Sequence, residues 1–87
     1  MTQMKVFLVT TARKPTFNPA VLEQHFSFLD GLRQQGRIGL SGGFADQTGG
    51  AYILLADTLD DATALALADP LHTRNSSTIT VREWLVK

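Results

Sequence analysis

The sequence predicts an α+β fold in which four antiparallel strands and two helices follow one another in the order β-α-β-β-α-β. Three observations predict it: β-branched and apolar runs at 4–10 and 51–56, a similar run at 77–84, and helical repeats of apolar residues at 18–36 and 58–69. This order is the split-βαβ, ferredoxin-like pattern. Right-handed crossovers would place both helices on one face of the sheet, with the first and third strands in its centre.

The first strand, residues 4–10, is apolar on both of its faces. Side chains alternate along a strand, and both the series that starts at Val6 and the series that starts at Phe7 are apolar. The third strand, residues 51–56, has the same character, and a glycine-rich turn joins it to a short second strand that begins at Ile38. Strands of this kind need cover on both sides.

Both helices carry recognisable start and stop residues. Asn18 suits the N-cap of the first helix, and Pro19 suits its first position because the missing N–H would have no partner there. Gly36 is the expected stop residue. Thr58 is the expected N-cap of the second helix, and Pro70 ends that helix at the preceding residue at the latest.

The two-sided apolar strands also predict the quaternary structure. If both helices cover one face of the sheet, the other face would leave apolar side chains in water. A second sheet is the natural cover, so we expect a homodimer packed sheet to sheet. A monomer with one wet apolar face is the alternative.

The length, charge balance and cysteine content of the chain argue against several classes of function. The chain of 87 residues is expected to form one domain over residues 1–87, and its eight acidic residues balance eight basic ones. This balance argues against a nucleic-acid partner or a membrane partner. The chain has no cysteine, and the apolar run at 4–9 is too short for a signal-peptide core or a membrane span. We therefore expect a soluble cytoplasmic protein.

An ionisable ring lies on the apolar face of the first helix. At about 100° per residue that face comprises Val21, Leu22, Phe26, Phe28, Leu29 and Leu32. His25 falls within it, so the imidazole must find a partner or stay neutral. Asp69, at the end of the second helix, falls on that helix's inner stripe between Ala62 and Leu65.

The sequence therefore predicts a His25–Asp69 pair. An acidic residue at a helix C-terminus meets the unfavourable end of the helix dipole, and a cationic or N–H-donating partner would explain its presence. Asp69 would then orient the imidazole through one ring nitrogen and leave the other free to accept a proton. The alternative is structural: His25 is a satisfied core residue, and Asp69 with Pro70 forms a helix stop.

Other candidates carry weaker signals. The backbone N–H groups of Ser41, Gly42 and Gly43 could bind an oxyanion of the substrate, and a simple hairpin bend is an equally good interpretation. His72 falls in a predicted polar loop, 71–76, and is expected to be solvated, with a position at the pocket entrance as the alternative. Arg13 and Lys14, in another loop, could meet an anionic substrate, but a solvated loop is the favoured interpretation. Spacing favours neither a metal site nor a nucleotide-binding loop, so we expect no cofactor.

Several short motifs, in matching order and spacing, resemble the small YciI-like (YCII-related) proteins over nearly the whole chain. The motifs are 24–29 (QHFSFL), 36–38 (GRI), 40–43 (LSGG), 50–54 (GAYIL), 65–70 (LALADP) and 81–84 (VREW). The resemblance implies a dimeric α+β barrel with a His–Asp dyad in a pocket, and some relatives are similar to dehydrochlorinases of chlorinated hydroxyquinones. Carried across, the dyad falls on His25 and Asp69. Two family features differ here: Leu22 stands where an arginine is common, and 71–75 lacks the usual aromatic and Ala-Gly residues.

Three hypotheses of function follow. The first is a cofactor-independent enzyme of lyase or isomerase type, in which His25 transfers a proton, Asp69 orients it and 41–43 bind an oxyanion. Its substrate would be a small oxygenated molecule, aromatic compounds included, that undergoes elimination or isomerisation. The second is a non-catalytic dimeric module, either a small-molecule-binding protein or an accessory protein, in which His25 and Asp69 hold a ligand or stabilise the core. The third, from fold analogy alone, is a cofactor-free monooxygenase.

Overall fold

The computed structural model describes residues 4–87. Its elements are β1 (Lys5–Arg13), α1 (Val21–Gln34), β2 (Ile38–Gly43), β3 (Gly49–Ala56), α2 (Leu59–Leu67), α3 (Pro70–Thr73) and β4 (Ser77–Glu83). The strands form one antiparallel sheet in the order β2-β3-β1-β4. The ferredoxin-like α+β fold is confirmed, with the first and third strands in the centre as predicted.

The two central strands each have one fully buried face. Phe7, Val9 and Thr11 on β1 are buried, and so are Tyr52 and Leu54 on β3. The core comprises these side chains together with buried residues of α1 and α2, so both helices cover the same face of the sheet. The apolar residues on the opposite face are half-buried: Val6, Leu8, Ile53 and Leu55.

α1 begins two residues later than predicted. Asn18 is not its N-cap: the Asn18 side chain accepts from the Ala20 N–H at 3.0 Å, and this turn leads into the first helical residue, Val21. The helix ends as predicted. Gly36 has a φ of +70°, and Arg37 N donates to Leu32 O at 3.0 Å, which closes the last turn.

α2 begins as predicted and ends at Leu67, within the limit that Pro70 sets. The Thr58 hydroxyl accepts from Asp61 N at 3.1 Å, the N-cap bond that the sequence indicated. The predicted loop after Pro70 is wrong in part, because Pro70–Thr73 forms the short helix α3 and Leu71 is buried. Within residues 4–87 no helix has the length and apolar character needed to cross a membrane.

Candidate functional site

His25 lies on the inner face of α1, as its position in the helical repeat predicted. Val21, Leu29 and Leu32 lie on the same face and are buried, and the His25 residue itself is 9% exposed. One neighbour differs from the prediction. Phe26 is 57% exposed rather than part of the core, and its ring lies 5.5 Å from the imidazole. The imidazole is therefore mostly buried, and polar contacts must stabilise it.

The position of Asp69 corrects the sequence argument. α2 ends at Leu67, so Asp69 does not continue its inner stripe; the backbone of Asp69 is extended and forms the N-cap of α3. The following Pro70 disfavours a helical conformation at residue 69, which explains the break. The carboxylate therefore lies at a helix N-terminus, where its Oδ1 accepts from Leu71 N at 2.8 Å. The predicted conflict with a helix dipole is absent.

The predicted contact between the two side chains is present. His25 Nδ1 lies 2.7 Å from Asp69 Oδ2, and Asp69 is completely buried. Because an ionised carboxylate only accepts hydrogen bonds, Nδ1 is the donor, and Nε2 of the neutral ring carries the free lone pair. Leu71 N fixes the other carboxylate oxygen, so the imidazole is held in one orientation. The arrangement suits proton transfer at Nε2.

A cavity of about 250 Å³ opens between α1 and the sheet beside the imidazole. Its apolar lining includes Leu22, Phe26, Leu29 and Leu71. Its polar lining comprises Thr11, Arg13, His25, Asp30, Arg33, Ser41, Tyr52 and Ser77. Backbone of β2 and β3 completes the wall at Gly42, Gly43, Gly49, Gly50 and Ala51. Such a mostly apolar pocket with a few converging polar groups is typical of a small-molecule site.

Two guanidinium groups and the carboxylate of Asp30 line the cavity. Arg33 is held in place by Asp30 Oδ1 at 2.9 Å and by the Ser41 hydroxyl at 3.2 Å. Arg13 stacks over the Phe17 ring at 4.2 Å from its centroid. Asp30 offsets one of the two positive charges, and the ionised Asp69 behind His25 offsets the other when the imidazole is neutral. The N–H groups of the two guanidinium groups can still donate hydrogen bonds to an anionic or electron-rich oxygen ligand.

The other predicted site residues divide into two groups. Ser41, Gly42 and Gly43 lie along the cavity wall, at the positions of β2 that pair with β3; their binding of an oxyanion remains a prediction. The Ser41 hydroxyl already accepts from Arg33. His72 lies in α3 with an exposed side chain and does not line the cavity.

Tyr52 and Arg33 are two of the cavity residues that the sequence alone does not single out. Tyr52 lies in the predicted apolar strand 51–56, and in the structure it lines the cavity. Burial, with the Asp69 carboxylate as a smaller second cause, raises the pKa of Tyr52 above its usual range. Arg33 has no role among the predictions from the sequence. For Tyr52 the available signal was a single tyrosine in a strand that is apolar on both faces. For Arg33 it was a position between Leu22 and Phe26 on the helical wheel of α1.

Comparison with known proteins decides the family. The profile of the YCII-related domain matches residues 4–85. The chain belongs to the YCII-related domain family. Among curated proteins, it is 40% identical over 84 residues to the uncharacterized protein YjpA of Bacillus subtilis (strain 168), a match that covers 97% of this chain and 99% of YjpA.

A solved structure shares the fold of this YCII-related chain. It is TftG, 5-chloro-2-hydroxyhydroquinone dehydrochlorinase of Burkholderia phenoliruptrix AC1100, in complex with 2,5-dihydroxybenzoquinone. The TM-score is 0.69 at 19% sequence identity, and the match covers 94% of this chain and 95% of TftG. At this identity the likeness shows the fold alone.

Proposed function

We propose that this YCII-related protein is an enzyme that uses the His25–Asp69 dyad to transfer a proton on a small oxygenated molecule. The observation that supports the proposal most is the 2.7 Å contact between His25 Nδ1 and the fully buried Asp69. The contact leaves Nε2 as the proton acceptor beside a cavity of about 250 Å³. A general base positioned in this way typically accelerates proton transfer by about 10²- to 10⁴-fold.

Elimination or isomerisation suits this site best. In an elimination, Nε2 of His25 removes a proton from the substrate, the freed electron pair forms the new π bond, and the leaving group departs with its own pair. Asp69 stabilises the imidazolium that results, and the arginines favour the electron-rich oxygens of the substrate. The dehydrochlorinase activity in the name of TftG, which shares the fold, supplies a concrete reaction to test.

The direct test is chloride release from 5-chloro-2-hydroxyhydroquinone. We expect wild-type protein to release chloride and a His25→Gln variant to be slower by about 10²- to 10⁴-fold, because glutamine cannot accept the proton. His72→Ala is the matched control, since this second histidine lies outside the cavity and should leave the rate unchanged. Equal rates for wild type and His25→Gln would contradict the proposal. Binding of 2,5-dihydroxybenzoquinone without any turnover would favour a non-catalytic binding module.

We also propose that the protein is a homodimer joined through the face of the sheet opposite the helices. The half-buried apolar side chains on that face, among them Leu8 and Ile53, support this. Covering them with a second copy would remove this apolar surface from water. Light scattering on the eluting protein should give twice the 9.5 kDa chain mass. A mass of one chain at micromolar concentration would contradict the dimer.

A further inference from the structure

The only tyrosine in the sequence lies at the centre of the site. Tyr52 is on β3, paired with Val9 of β1 on one side and with Ser41 of β2 on the other. Its side chain points to the same face of the sheet as the buried Val9, towards α1 and His25. The residue is 2% exposed and lines the cavity.

The Tyr52 hydroxyl has no hydrogen-bond partner within residues 4–87. A buried hydroxyl without a partner typically costs about 1–3 kcal/mol, so folded proteins rarely leave one in this state. The nearby Asp69 carboxylate does not relieve it, because Asp69 bonds His25 and Leu71 instead. Burial and the charge of Asp69 both raise the pKa of Tyr52, so the phenol stays protonated and acts as a donor.

Two other hydroxyls around the cavity are already engaged. Thr11 Oγ1 accepts from Gly50 N at 3.0 Å, and the Ser41 hydroxyl accepts from Arg33. Within the described residues, the His25 ring bonds through Nδ1 alone. The Tyr52 hydroxyl, a donor, and Nε2 of His25, an acceptor, are therefore both without a protein partner in the described part of the chain.

We propose that Tyr52 donates a hydrogen bond to an oxygen of the ligand while His25 exchanges a proton with the same molecule. The ligand class is therefore a compact carbonyl, enol or phenol compound whose oxygen gains negative charge during the reaction. Nε2 takes the proton, the C–H or O–H electron pair moves towards the oxygen, and Tyr52 stabilises the oxyanion that forms. The proposal rests on the proposed function and assigns the oxyanion contact to Tyr52 as well as to the predicted 41–43 segment.

The binding test uses 2,5-dihydroxybenzoquinone, an anion in neutral solution, as the probe. We expect Tyr52→Phe to bind it about 10- to 100-fold more weakly than wild type, the usual effect of removing a hydrogen bond to a charged oxygen. Ser27→Ala is the matched control, because it removes an exposed hydroxyl from the outer side of α1. Equal affinity for wild type and Tyr52→Phe, or no binding of the probe to wild type, would overturn the proposal.

Two readouts separate a ligand contact from a structural role. Because the chain has one tyrosine, ¹³C labelling at Cζ gives a single signal, which should shift when the probe is added. The thermal midpoint of Tyr52→Phe should equal or exceed that of wild type, because the variant loses a hydroxyl that has no protein partner. An unmoved Cζ signal at saturating probe, or a lower midpoint with unchanged probe affinity, would mean that the hydroxyl serves the fold.

The result for Tyr52→Phe can be distinguished from the result for His25→Gln, which tests the proposed function. If His25→Gln slows chloride release but Tyr52→Phe binds the probe like wild type, the dyad stands and the oxyanion assignment fails. If Tyr52→Phe weakens binding while His25→Gln keeps the full rate, the ligand contact stands and the proton transfer fails.

Discussion

An Asp69→Asn variant is expected to lose about 10⁴-fold in kcat for chloride release while it keeps the wild-type fold. Leu71 N donates to Oδ1 of residue 69, and this bond would keep the asparagine oxygen in place. The amide NH₂ group would then face His25 Nδ1, which now donates to Oδ2. Because an NH₂ group only donates, Nδ1 would have to accept and the ring proton would move to Nε2. The ring would keep its position and lose its free lone pair towards the cavity.

The measurement compares kcat with folding in the same variant. Circular dichroism and the thermal midpoint should remain close to wild type, because asparagine keeps the size of the side chain and both hydrogen bonds. Asp57→Asn is the matched control, since this exposed aspartate follows β3 outside the cavity. An Asp69→Asn variant whose rate lies within tenfold of the wild-type rate would show that the carboxylate does not determine which nitrogen of His25 carries the proton.

Gly49→Ala is expected to destabilise the protein by about 4 kcal/mol or more, at the upper end of single substitutions. A Cβ at residue 49 would lie 1.8 Å from the backbone oxygen of Thr11 and 3.1 Å from Ala12 Cα. These atoms belong to β1, so the two central strands would have to separate at the cavity. The cost is high because backbone cannot move aside as a flexible side chain does.

Gly31→Ala provides the opposite control. A Cβ at residue 31 would have no atom within 4 Å in its surroundings, and the residue lies inside α1. Alanine there is expected to stabilise the helix by about 1 kcal/mol. Urea unfolding of both variants tests the pair. A Gly49→Ala protein within 1 kcal/mol of wild type would contradict the close approach of the strands.

The sequence predicts the fold and one residue of the site for clear physical reasons. Strand alternation and the order of elements determine the sheet, because strands that are apolar on both faces must be central. The helical repeat places His25 on the buried face, since that placement depends only on spacing within α1. Asp69 is predicted as its partner by an argument that the structure corrects, because Pro70 breaks the helix before residue 69.

The remaining site residues depend on packing that no single segment encodes. Arg33 falls between Leu22 and Phe26 on the helical wheel of α1, but its hydrogen bond to Ser41 on β2 joins two separate segments of the chain. Tyr52 has the pattern of a core residue in its strand. That its hydroxyl has no partner follows only from the tertiary structure, in which the nearby Asp69 carboxylate bonds His25 and Leu71 instead. These features require tertiary contacts between distant segments.

The state of the His25 imidazole tests the central claim most directly. ¹⁵N NMR of the ring at a pH where it is neutral should show a protonated Nδ1 and an unprotonated Nε2, because the Asp69 carboxylate accepts from Nδ1 at 2.7 Å. In Asp69→Asn the assignment should reverse, with an unprotonated Nδ1 and a protonated Nε2. A wild-type ring with its proton on Nε2, or one unaffected by Asp69→Asn, would contradict a dyad that presents a base to the cavity.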